Sequence, residues 1–293
     1  MEESLTAPGE TPPPAHREVM QLYPPPTRPR RLKGLYLNER MPPPAAGVPA
    51  MVYANFVTSL DGRIALTDSQ GTSRLPDGLT NPRDWRLFQE LQAHADCLVT
   101  HGGYLRAFAS GRLGNVLQAG LAAGSDDIPR WREKHAATAQ PAVAVVSASL
   151  DLPIPDSLRT HRQPVYVLTT AGTAEAGDDR RAALERAGYD VVVTGPGPWV
   201  RARDAVEALA ARGYRQLYLQ TGPRMLESAL RDRVLARLYL TIGHRLVGGD
   251  RFDTMVRGDG TLGVAGRLRL SALYLDEAPD LDCGQLFARF DAG

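Results

Sequence analysis

From Met51 onward, short runs of apolar and β-branched residues alternate with segments whose apolar positions recur every three or four residues. That rhythm predicts strands and helices stacked in an α/β domain. Eight strands are expected, over 52–58, 96–100, 142–147, 165–169, 189–194, 217–220, 238–242 and 268–275. The helices between them have readable ends. Asn81 caps one with Pro82 in its first turn and Trp85, Phe88 and Leu91 along an apolar face. Asp178 opens a second that stops at Gly188, and Val206, Leu209 and Ala210 form the buried stripe of a third that stops at Gly213. No composition break divides residues 51–293, so they are expected to form a single domain, without internal repeats.

Residues 1–50 break the pattern. Three proline clusters, Pro12–Pro14, Pro24–Pro26 and Pro42–Pro44, are separated by few apolar residues. Such a segment favours extended conformations and buries little, so it is expected to be an arm, partly disordered or docked on the body or on a partner subunit through "LYLNER" (35–40). The basic run "RPRRLK" (28–33) could grip phosphate or nucleic acid, but short charged runs in tails are usually solvated, and that is the expected reading.

Bulk composition narrows the function. The 293 residues carry 34 basic and 33 acidic side chains, a formal net charge of +1, so no overall field draws the chain to nucleic acid or an anionic membrane. No apolar run approaches the roughly 20 residues of a membrane span. The two cysteines, Cys97 and Cys283, have neither disulfide nor metal-ligand spacing, which fits a cytoplasmic protein. The six histidines do not cluster, and His94 is expected to face outward from its helix. No nucleophile elbow, zinc helix or Walker-type loop is present. Hydride transfer, which needs only a positioned cofactor and substrate, best survives this elimination.

Two junctions could hold such a cofactor. In "LYLQTGPRMLESAL" (217–230) a strand ends at Gln220, Thr221–Gly222 turn, and Pro223 opens a helix. This leaves free N–H groups and a positive dipole end at the carboxyl end of a strand, although an ordinary turn needing glycine's backbone freedom would give the same pattern. In "DCLVTHGGYLRAF" (96–108) another strand meets His101–Gly102–Gly103. Ligands of open α/β sheets gather outside such strand ends, so together the two turns suggest a dinucleotide. "GPGPWV" (195–200) and "LVGGD" (246–250) read as a loop and a turn. His244, after a strand end, could approach the site.

Three blocks carry a resemblance that covers about residues 50–275: "NFVTSLDGRIAL" (55–66), "LQAHADCLVTHGG" (91–103), and "YLQTGPRMLESAL" (218–230) with "LYLTIGHRLVGG" (238–249). In content and order they resemble the pyrimidine reductase family of riboflavin biosynthesis, the reductase half of the bifunctional deaminase-reductase. The resemblance implies a dihydrofolate-reductase-like three-layer α/β fold around a mostly parallel mixed sheet, NADPH as cofactor, a homodimer, and reduction of a ribosylaminopyrimidine phosphate. It places Thr58, Gly102, Gly103, Ser147, Gly222, Pro223, Arg224, Met225 and Leu226 at the cofactor, and Ser59, Asp61, Ser73, Arg74 and Gln220 at the small-molecule substrate. Asp61 could orient substrate or cap local backbone N–H groups.

The chain also departs from the family. Gln92 stands where an arginine grips the substrate phosphate, Tyr104 and Phe108 replace polar groups, Gln220 replaces an acidic residue, and Thr221 replaces a small one. These changes remove charge-assisted hydrogen bonds to a phosphorylated substrate. The deaminase half's zinc signature is absent. The sequence therefore leads to an NADPH-dependent reductase of this type acting on a ribosylaminopyrimidine or a related C=N or C=O compound, with no catalytic acid identified. The alternatives are an inactive or regulatory nucleotide-binding homologue and a dihydrofolate-reductase-type enzyme.

Overall fold

The computed structural model describes residues 18–292 apart from 70, 72, 123, 137 and 280. The first proline cluster, Pro12–Pro14, lies outside them. In chain order the elements are β1 (Glu18–Tyr23), β2 (Arg28–Arg31), β3 (Met51–Ser59), β4 (Ala65–Thr67), β5 (Ser73–Arg74), α1 (Pro82–His94), β6 (Cys97–His101), α2 (Gly102–Ala109), α3 (Asp127–His135), β7 (Ala142–Val146), α4 (Asp156–Thr160), β8 (Val165–Thr170), α5 (Ala171–Ala176), α6 (Asp178–Arg186), β9 (Asp190–Thr194), α7 (Ala202–Ala211), β10 (Gln216–Leu219), α8 (Pro223–Arg231), β11 (Arg237–Gly243), β12 (Phe252–Asp253), β13 (Leu268–Asp276) and β14 (Gln285–Ala292).

One sheet dominates, in the order β2-β1-β13-β14-β11-β3-β10-β6-β7-β8-β9. The seven strands from β11 to β9 pair parallel, so their carboxyl ends share one rim. They are near-continuous apolar runs because both faces are covered: α7 and α8 pack on one side through Val206, Leu209, Leu226 and Ala229, and α1 packs on the other through Leu87 and Leu91. The expected three-layer α/β class is the one observed. The sheet has eleven strands rather than about eight, because β1, β2 and β14 were not anticipated. A separate small sheet, β12-β4-β5, lies apart.

The arm is part of this architecture. Its second proline cluster joins β1 to β2, and β1 pairs antiparallel with β13, Met20 opposite Leu275. "LYLNER" docks beneath α1. There the buried Glu90 carboxylate accepts hydrogen bonds from the backbone N–H groups of Gly34 (2.5 Å), Tyr36 (2.8 Å) and Leu37 (3.0 Å), and the Arg86 guanidinium donates to it (2.9 Å). A carboxylate taken out of water needs this full set of donors.

Two expectations for α1 are corrected. His94 is buried, with Nε2 2.9 Å from the Tyr36 carbonyl, because the docked arm covers what would otherwise be an outer face. Trp85 is 38% exposed and stacks on Phe88; the expected Leu91 is buried, Phe88 packs half-buried against the core, and Leu87 takes the place on the face that Trp85 does not fill.

Candidate active site

The site begins with two helix starts on neighbouring strands. β6 runs directly into α2, whose N-cap His101 makes no side-chain capping bond, and β10 turns through Thr221–Gly222 into α8, whose N-cap Gly222 makes none either. β6 and β10 are hydrogen-bonded neighbours, so both uncapped amino ends open at the same rim. Unpaired N–H groups and two positive dipole ends face that opening.

They share a cleft of about 810 Å³ lined by Gly102 and Gly103 from one helix start and Gly222, Pro223, Arg224 and Met225 from the other. Ser147 and Thr170, at the ends of the next two strands, continue the wall. Eight of the nine residues that the resemblance assigned to cofactor are placed as follows: these seven glycine-turn and Ser147 residues line the cleft, and Thr58 lies buried near the end of β3, outside the lining. The ninth, Leu226, faces the core, 1% exposed. The glycines do different jobs. A Cβ on Gly102 would lie 2.7 Å from Leu152, whereas one on Gly222 would meet nothing within 4 Å. Gly222 has φ −78°, so its turn does not need glycine; the missing side chain leaves open space in front of α8.

Other lining residues are ones the sequence did not assign to the site: His101, though it stands in the expected glycine junction, Arg106, Thr170, Trp199 and Arg201. Burial and the neighbouring Arg106 hold the His101 imidazole below its usual pKa, favouring the neutral ring. Trp199 belongs to the "GPGPWV" segment, which is a loop as expected. It is 56% exposed, with the Arg224 guanidinium 5.1 Å from its ring centre. No local signal marks it in the sequence, since the contact forms only when α8 approaches the loop.

The residues assigned to substrate lie elsewhere. The Ser59 hydroxyl donates to Asp61 in a short hydrogen bond and accepts from the Arg63 N–H (3.0 Å). Asp61 also accepts from the backbone N–H groups of Val247 (3.2 Å) and Gly248 (2.8 Å) and pairs with Arg63 (2.6 Å). The Ser59, Gly248 and Val247 hydrogen bonds hold its carboxyl down to a pKa of about 2. Its oxygens are thus spent stitching the β3 turn to the loop after β11, which explains why a buried strand runs into an Asp-Gly pair. Gly62, at φ +81°, makes that turn. Ser73 and Arg74 sit exposed on β5, with Arg74 paired to Asp77 at 3.3 Å.

Gln220 is different. Both of its amide atoms are buried, and neither has a hydrogen-bond partner among the described residues; the same holds for Thr100 Oγ1 on adjacent β6. Buried groups left this way call for a partner. Gln92 donates to the Val116 carbonyl (2.6 Å). Tyr104 accepts from the Val116 N–H (2.9 Å), donates to the Gly114 carbonyl (3.0 Å) and stacks parallel to Phe108. Three positions that depart from the resembled family therefore pack one another and the 114–116 loop. His244 lies beyond the cleft lining, its backbone N–H bonded to the Gly284 carbonyl (2.8 Å). Among the described residues no cluster of ligating side chains could hold a metal, and no helix is long and apolar enough to cross a membrane.

A sheet whose parallel strands end in glycine turns beneath uncapped helices is the architecture of nucleotide-binding α/β proteins. The RibD C-terminal domain family matches residues 50–276, and the chain belongs to that family. Among solved structures, a pyrimidine reductase-like protein from Corynebacterium diphtheriae is 22% identical with a TM-score of 0.58, over 83% of this chain and 92% of that one. RibD from Acinetobacter baumannii is 16% identical with a TM-score of 0.57; the match spans 85% of this chain but only 59% of that one. A deaminase/5-amino-6-(5-phosphoribosylamino)uracil reductase from Thermotoga maritima is 13% identical, with a TM-score of 0.51 over 83% and 57% of the two chains. No curated protein matches the sequence.

Proposed function

We propose that the protein is an NADPH-dependent reductase of the riboflavin-pathway type. The observation that carries this reading is the convergence of two uncapped helix starts, at Gly102 and Gly222, on one cleft with Ser147 and Thr170. The residues fit the cofactor: the two helix ends and the space left by Gly222 suit a pyrophosphate, and Arg224, which has no ion-pair partner among the described residues, lies against Trp199 beside them. The reduced nicotinamide supplies the hydride. The protein orients the reactants and excludes water, contributions that account for much of the rate where few ionisable groups are at hand.

The substrate is a ribosylaminopyrimidine or a related C=N or C=O compound. It meets a neutral amide at Gln220 rather than a carboxylate, and Gln92, Tyr104 and Phe108 are already committed to packing. This combination favours a substrate differing from that of the Thermotoga enzyme. It also supports a second reading, a nucleotide-binding homologue without turnover. The protein works as a cytoplasmic homodimer. Fluorescence titration should show saturable NADPH binding, weaker for NADH, and NADPH absorbance at 340 nm should fall when the ribosylaminopyrimidine phosphate is added. Absent binding overturns both readings; binding without oxidation of NADPH by this compound or by related C=N and C=O compounds favours the second.

A further inference from the structure

Away from the cleft, and sharing none of its lining residues, a second concavity of about 570 Å³ lies between the β1–β2 hairpin and the docked arm. Its lining includes Arg30, Arg31, Lys33, Arg40 and Arg289 against one carboxylate, Glu39. That carboxylate is already neutralised, since Tyr239 donates to it (2.6 Å) and both Arg237 and Arg289 pair with it. Lys33 is paired with Asp127 at 3.2 Å. Among the described residues, no carboxylate lies within ion-pair distance of Arg30, Arg31 or Arg40, whose only polar contact is a 3.4 Å hydrogen bond from Arg30 to Gln21.

Three unpaired guanidinium groups around one hollow repel one another. The fold nevertheless holds them there: β2 fixes Arg30 and Arg31 by pairing with β1, and Glu90 fixes the arm just before Arg40. We infer that this hollow is a binding site for a compact polyanion bearing a di- or triphosphate group. Guanidinium forks match phosphate oxygens two at a time, and the volume lies within the usual range of small-ligand pockets. The chemistry argues against nucleic acid: among the described residues Tyr274 is the sole aromatic lining residue, so the hollow offers little for bases to stack on, and the formal net charge of +1 gives the chain no overall attraction to a phosphate backbone. Of the two readings open to "RPRRLK", a grip on phosphate is the one this inference takes up: the arginines of β2 remain exposed, but the strand sets them along one wall of the hollow.

The test is calorimetric titration of the full chain with inorganic tripolyphosphate at about 0.15 M salt, with sodium sulfate at matched ionic strength as control. The expected result is saturable one-to-one binding by tripolyphosphate and none by sulfate, weakened about tenfold or more in the Arg31→Ala/Arg40→Ala double variant, as loss of two charge-assisted contacts implies. Both side chains are exposed and without described partners, and removing them relieves mutual repulsion, so the thermal midpoint of the variant should not fall below that of the parent. ATP is the second ligand. If it competes with tripolyphosphate, the site takes nucleotide-borne phosphate; if it does not, the site takes free polyphosphate, and either result supports the inference. Absence of saturable binding, equal binding by sulfate, or binding undiminished in the double variant overturns it. Binding at the cleft, whose helix starts also suit a pyrophosphate, is told apart because it would survive the Arg31→Ala/Arg40→Ala substitutions, which touch none of the cleft's lining.

Discussion

Two aspartates show how one residue type acquires opposite roles from its surroundings. Asp84, in the first turn of α1, is buried, and its carboxylate accepts a single side-chain hydrogen bond, from Thr241 (2.6 Å). Burial pushes its pKa up to about 6. Because the folded value exceeds the unfolded one, its contribution to stability is fully present below about pH 4 and is lost as pH rises through about 6. Asp84→Asn keeps the acceptor for Thr241 and removes the charge. It should raise stability at pH 7.5 by about 2–3 kcal/mol while changing little at pH 4, which urea unfolding at the two pH values would show. Asp61 behaves the other way. With its carboxyl held near 2, it stabilises the 244–249 loop at any pH above about 4 and loses that role as pH falls toward 2. Asp61→Ala should speed amide hydrogen exchange at Val247 and Gly248 while leaving α1 protected; unchanged exchange at those two amides would count against the stitch. Asp61 and its glycine were visible in the sequence as a turn. Their partners were not, since Val247 and Gly248 lie far along the chain and meet Asp61 only once β3 and β11 pair.

Among the elements, α1 is the one on which the arm depends. Its Glu90 side chain is fully buried and gathers three backbone N–H groups and Arg86. Removing the carboxylate leaves those donors unpaired in the interior. Glu90→Ala should therefore cost about 3 kcal/mol, and Glu90→Gln, which keeps an acceptor, about half as much. Thermal unfolding of both variants checks the order, and comparable losses would mean that packing rather than the charge holds the arm. The eight expected strands all exist, because strands covered on both faces are written as unbroken apolar runs such as Ala142–Val146. β14 escaped notice because its run, QLFARFDA, mixes Arg289 and Asp291 into a half-exposed pattern and gains its identity only by pairing with β11 and β13. The glycine turns of the cleft were legible as local signals, whereas Trp199 was not, because only the approach of α8 brings Arg224 over its ring.

At the scale of the whole molecule, the arm closes one end of the sheet. β13 has nine residues, and without β1 it would present an unpaired edge carrying Leu273 and Leu275, an invitation to pair with another chain. β1 occupies that edge. β2, outermost, ends the sheet with a four-residue strand that is exposed throughout, charged and interrupted by Pro29, a sequence poorly suited to further pairing. Additional ties hold the hairpin in place: Arg83, bound to Asp276 through Nε and Nη2 (2.8 and 2.7 Å), also donates to the Glu18 carbonyl (2.8 Å), linking α1, β13 and β1. The proline-rich composition thus acts as an edge guard as well as a docked strap. A chain lacking residues 1–31 should keep the parallel half of the sheet but expose β13. Light scattering across a range of concentrations should then report self-association beyond that of the full chain, and a Leu273→Lys substitution in the truncated chain, which places a charge on the bare edge, should reverse it. A truncated chain that scatters like its parent would mean that the edge is protected by something other than β1.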